Sequence, residues 1–119
     1  MALIPTDALP YFENAIYLPM LIQILEADLT LVEKGPFKLK RPYTLLIEET
    51  LKIVRSEIKE TNTYMRQNTM NLMRGKTDGI FTEYIFIHRG YEDSRRYLNV
   101  RLRNRSEELI GMYFAMTYL

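Results

Sequence analysis

Phe81-Thr-Glu-Tyr-Ile-Phe-Ile-His88, then Arg89-Gly90, then Tyr91-Glu-Asp-Ser-Arg-Arg-Tyr-Leu-Asn-Val-Arg-Leu-Arg103, is the stretch on which the fold turns. Its first eight residues are rich in aromatic and β-branched side chains, as a short strand would be. Leu98, Val100 and Leu102 alternate with Asn99, Arg101 and Arg103, which also suits a strand. Yet Tyr84, Ile87, Tyr91, Leu98, Leu102, Leu109, Met112 and Met116 fit a helical seam. Ser106, followed by Glu107 and Glu108, could cap a final helix of its own. Length favours helix from residue 91 to the end, with 80–90 extended. The alternative is a β-hairpin at 81–102.

Upstream, Gly75-Lys-Thr-Asp-Gly79 is a turn cluster. Before it, Ile47, Leu51, Val54, Ile58, Thr61, Met65, Asn68 and Leu72 are spaced alternately by four and three, a heptad seam. Thr61 and Asn68 are its polar positions. Pro42 suits the first turn of this helix. A helix over 42–74 would be about 50 Å long at 1.5 Å per residue. A compact domain of this size is roughly 26–30 Å across. The helix therefore either projects and pairs with a partner, or breaks near Thr61–Thr63, where propensity is poor. The apolar seam residues Ile47, Leu51, Val54, Ile58, Met65 and Leu72 are the candidate interface.

The first helix reads from Asp7, as N-cap, to Lys34. Leu18, Ile22, Leu25, Leu29 and Val32 share one face, and Met20, Leu21, Ile24 and Leu31 widen it. So broad an apolar surface needs cover on more than one side. Pro19 predicts a kink or break near Tyr17–Leu18. Gly35 suits a left-handed position after the last turn, and Pro36 cannot continue the helix. The longest apolar stretch, Ala15–Leu25, is shorter than the roughly 20 residues a bilayer span needs. With no positively charged N-terminal region, the expectation is a soluble cytoplasmic protein with no membrane partner.

The 119 residues form one domain, 1–119, large enough for a core of its own. There is no cysteine, which excludes disulfides, thiolate metal sites and cysteine nucleophiles. His88 is the sole histidine, and Ile85 stands where a Glu-x-x-His metal pair would need its carboxylate. Gly75-Lys76-Thr77 echoes a phosphate loop, but Met70 occupies the first glycine's place. Glu48, Glu49, Glu57 and Glu60 read as solvated charge pairing with neighbours such as Lys52. No catalytic, cofactor or metal site is expected.

Charge is segregated although the net is only +1. Residues 1–33 hold five acids and no base, 34–41 four bases and no acid, and 95–105 five arginines and no acid. Arg89, Arg95, Arg96, Arg101, Arg103 and Arg105, interleaved with Tyr84, Tyr91 and Tyr97, are the candidate anion or nucleic-acid contacts. Against that stands their pairing with the acids of the first helix, which the near-zero net charge favours.

Phe81-Thr-Glu-Tyr84, Arg89-Gly90-Tyr91, Arg96-Tyr97 and Leu102-Arg103-Asn104 together resemble short uncharacterised proteins of Bacillus-type Firmicutes, chiefly over 81–119. The resemblance implies a Gram-positive source and a helical fold, and carries no assigned activity. The expected fold is all-α: an elongated three- to four-helix bundle with a kinked first helix and a long second helix. The alternative is α+β with the hairpin at 81–102. The expected function is a non-enzymatic, self-associating adaptor or regulator, a dimer or the partner of another helical protein. The alternative is a nucleic-acid-binding regulator using 34–41 and 95–105.

Overall fold

The computed structural model describes residues 4–117. A 3-10 turn, Thr6–Ala8, leads into α1 (Leu9–Lys34), which α2 (Arg41–Gln67) follows. Three strands come next, β1 (Met70–Thr77), β2 (Phe81–His88) and β3 (Tyr91–Leu98), and α3 (Asn99–Thr117) closes the chain. The strands form an antiparallel meander in the order β1-β2-β3. The fold is therefore α+β, which corrects the all-α bundle and the single helical domain. The hairpin kept as the alternative is present at 81–98, and an unexpected strand precedes it.

The physical reasons are local. The helical seam ends at Met65, because α2 stops at Gln67 and Thr69 takes a left-handed conformation, φ 53°. The backbone reverses there and Met70 and Leu72 continue with strand periodicity, opposite His88 and Phe86. Arg89 and Gly90, both at positive φ, make the tight turn between β2 and β3. Leu98 ends β3. Asn99 then ties the turn together, its amide donating to the Asp78 carbonyl and its Oδ1 accepting from Thr82. The alternation at 98–103 thus belongs to the start of α3.

Three expectations for the helix ends and interiors change. Asp7 lies in the 3-10 turn and caps nothing, α1 is continuous through Pro19, and Ser106 sits mid-helix bonded to the Leu102 carbonyl. α2 runs unbroken through Glu60–Thr63, where Thr61 is buried and accepts a bond from Asn14. Gly35 is extended rather than left-handed, and it is needed for a different reason. A Cβ there would stand 2.8 Å from the Leu31 carbonyl oxygen and 3.1 Å from the Phe37 ring.

Two apolar clusters hold the molecule. One joins the sheet to the N-terminal half of α1: Phe12, Ile16, Met65, Met70, Tyr84, Phe86 and Leu102. The other lies among the helices: Leu18, Leu21, Leu25, Ile47, Leu51, Val54 and Tyr113. The helices cover one face of the sheet only. Met73, Ile85, Phe81 and Leu98 are on the other. The molecule is elongated, 59 × 33 × 19 Å, with the α1–α2 connector at the end away from the sheet.

By length and composition Thr6–Lys34 is apolar enough to cross a membrane. The apolar stretch Ala15–Leu25 is only part of that segment. In the fold the segment is the central helix, touching α2, α3 and the sheet.

Candidate functional site

The α2 seam is internal. Ile47, Leu51, Val54 and Met65 are buried, Ile58 packs against the helical cluster, and Leu72 lies on β1 against the sheet cluster. As a candidate interface these six residues are corrected: α1 and the sheet cover them within one chain.

The six arginines separate. Arg89 is in the β2–β3 turn. Arg95 is on the helix-facing side of β3, 2.8 Å from Asp93 and with its guanidinium 4.8 Å from the Phe86 ring centre. Arg96 points the other way and lies 4.0 Å over Phe81. Arg101 and Arg105, one turn apart on α3, line a cleft with Arg96, while Arg103 lines a different one. Arg105 pairs with Glu108 at 2.9 Å. Among the described residues Arg96, Arg101 and Arg103 have no carboxylate within ion-pairing distance. The pairing expected with helix-1 acids is made instead by Arg55 of α2, 2.9 Å from Glu26. The basic stretch 34–41 sits at the distal tip, about 30 Å along α1 from the residues facing Arg101, at 1.5 Å per residue.

Two clefts flank the contact of α1 with α3. The polar one, about 1050 Å³, is lined by Glu13, Asn14 and Tyr17 of α1, Arg96 and Tyr97 of β3, and Arg101 and Arg105 of α3. Glu13 Oε2 is buried there with no hydrogen-bond partner among the described residues. Nothing in the sequence singled out Glu13, because its placement depends on where β3 ends and α3 begins. The apolar cleft, about 550 Å³, is lined by Met20, Gln23, Ile24 and Asp28 of α1 and by Leu102, Arg103, Ser106 and Ile110 of α3, among others. Met20, Ile24, Ala27 and Leu31 recur at spacings of four, three and four and so lie along one line of α1. Ile24 is 39% exposed and Leu31 67%.

Four tyrosines have their pKa raised above the ordinary value near 10, each chiefly by burial. Glu13's charge adds to the effect at Tyr17 and Tyr97, and the bond donated to Glu57 adds at Tyr113, whereas Tyr84 is raised by burial alone. The folded chain then keeps these protons after the unfolded chain has lost them. Their contribution to stability is complete below the unfolded value and falls as pH rises above it. Urea midpoints should therefore decline above about pH 10, and Tyr97→Phe should soften the decline. An equal slope in that variant would show that Tyr97 does not carry it.

Among the described residues no three His, Cys, Asp or Glu side chains gather as a metal site would require. Fold and clefts together define a small α+β domain: a helical hairpin, a meander over one end, and a third helix bordered by an apolar and an arginine-lined cleft. Residues 3–118 match the YhjD protein family, and the chain belongs to it. It is 39% identical over 101 residues to the uncharacterised protein YhjD of Bacillus subtilis (strain 168), covering 85% of this chain and 84% of that one. The likeness to uncharacterised Bacillus-type proteins thus extends well beyond residues 81–119. No solved structure matches.

Proposed function

We propose that this chain is a non-catalytic interaction protein of the cytoplasm that pairs with a second copy of itself through the α1 stripe Met20, Ile24, Ala27 and Leu31. The observation that carries the reading is that this stripe keeps heptad spacing, that Met20 and Ile24 line the apolar cleft beside α3, and that Ile24 and Leu31 remain exposed. A helix apolar on all sides calls for cover on all sides, and α2, α3 and the sheet cover α1 only in part. Gln23, Asp28 and Arg103 at the margins supply the polar rim such an interface needs.

Sedimentation equilibrium tests it. The native chain is expected to dimerise below about 100 µM, an affinity of roughly 5–6 kcal/mol. Ile24→Glu and Leu31→Glu, both at exposed positions, should give folded monomers with unchanged circular dichroism. A native chain that stays monomeric at about 200 µM would overturn self-association.

The second reading, a nucleic-acid-binding regulator, is favoured by Arg96 and Arg101, which have no carboxylate partner and line one cleft with Arg105. It predicts anisotropy changes with generic duplexes that weaken steeply between about 50 and 200 mM salt. Arg101→Ala should lower that binding more than Arg89→Ala. Absence of binding at the lower salt would end this reading.

A further inference from the structure

The α1–α2 connector ends the long axis of the molecule, and its side chains do not suit a tip exposed to water alone. Phe37, Leu39 and Tyr43 are all exposed, Leu39 by 73%. Phe37 and Tyr43 touch, with ring centres 5.3 Å apart. The Phe37 ring is held over Gly35, whose missing Cβ makes room for it. The connector is itself fastened, because Lys40 Nζ donates to the Glu33 carbonyl at 2.7 Å. The apolar knob is thus a built feature rather than a loose loop.

Charge surrounds it. Lys34, Lys38, Lys40 and Arg41 fall within eight residues that hold no acid, while the rest of the chain is net negative. Arg41 is engaged by Glu48 at 3.2 Å. Lys34 and Lys38 are exposed and have no carboxylate within ion-pairing distance among the described residues. Aromatic and aliphatic side chains at a projecting apex, with lysines beside them, match the boundary of an anionic bilayer. Acyl chains accept the apolar groups, and headgroup phosphates face the ammonium groups. A nucleic acid would use the lysines and leave Leu39 without a partner.

We infer that the tip formed by Phe37, Leu39 and Tyr43 with Lys34 and Lys38 docks the protein onto anionic membrane surfaces. This is contact with a surface, not a span, and it uses none of the α1 stripe residues proposed for pairing. Vesicle co-sedimentation of the full chain tests it, using phosphatidylcholine alone and phosphatidylcholine with about 30% phosphatidylglycerol. The chain is expected to pellet with the anionic vesicles only. Lys34→Gln and Lys38→Gln should each lower partitioning about fivefold. Leu39→Ala should lower it several-fold with circular dichroism unchanged, and Phe37→Trp should shift its emission to the blue on those vesicles. No pelleting at low salt would overturn the inference. So would binding that survives Leu39→Ala undiminished and is matched by duplex DNA, which would make the tip a general polyanion site.

Discussion

Exchanging Val54 for aspartate is expected to abolish folding rather than to release a soluble monomer. Val54 is fully buried in α2, among Leu18, Leu21, Leu25, Ile47, Leu51 and Tyr113. The nearby cations Lys52 and Arg55 are on the exposed side of the helix and already engaged by Glu49 and Glu26. An uncompensated carboxylate at that place costs several kcal/mol, a large part of the roughly 5–15 kcal/mol that holds a domain together. Ser56→Asp, on the exposed side of the same helix, is the control and should leave the far-ultraviolet circular dichroism unaltered. The comparison also decides what the seam is. Were it an interface between chains, Val54→Asp would yield a folded monomer, and that outcome would overturn the packing of α1 on α2.

The helical hairpin was legible because its signals are local: Gly35-Pro36 stops one helix, Pro42 opens the next, and period 3.6 marks the faces. Whether the α2 face meets another chain or α1 is a tertiary fact, and periodicity is silent on it. β1 was hidden for a different reason. No glycine or proline marks the reversal at Asn68-Thr69, and Leu72 stands seven residues after Met65, a spacing that a heptad also accepts. β2 carries Phe81, Ile85 and Ile87 on one face and Tyr84 and Phe86 on the other, so it shows no alternation of polar with apolar. In β3 the helix-facing positions include Asp93 and Arg95, which pair with each other, and this masks the period of two. The arginine cleft follows from the same boundary. Arg96 meets Arg101 and Arg105 only because the chain turns from strand to helix at Leu98–Asn99.

Phe86→Ala should have the second-largest effect, and it should be uneven across the molecule. Phe86 of β2 and Phe12 of α1 are both fully buried, their rings nearly parallel at 6° with centres 4.5 Å apart. This stack is the centre of the cluster that fastens the sheet to the helices. Truncation leaves a cavity that the flanking Tyr84, Met70 and Ile16 can fill only in part, at a cost of about 3–5 kcal/mol. Arg95, lying over the same ring, loses its aromatic contact too, a smaller term because its side chain is 38% exposed. The helical cluster around Leu21 and Val54 contains neither ring. Amide protection is therefore expected to drop most in β1, β2 and β3 and least in the middle of α2, together with a lower urea midpoint. Phe86→Leu, which keeps most of the volume, should recover much of the loss. Equal loss of protection in strands and helices would mean that the two clusters unfold as one unit. A cost below about 1 kcal/mol would mean that the stack is not what joins the sheet to α1.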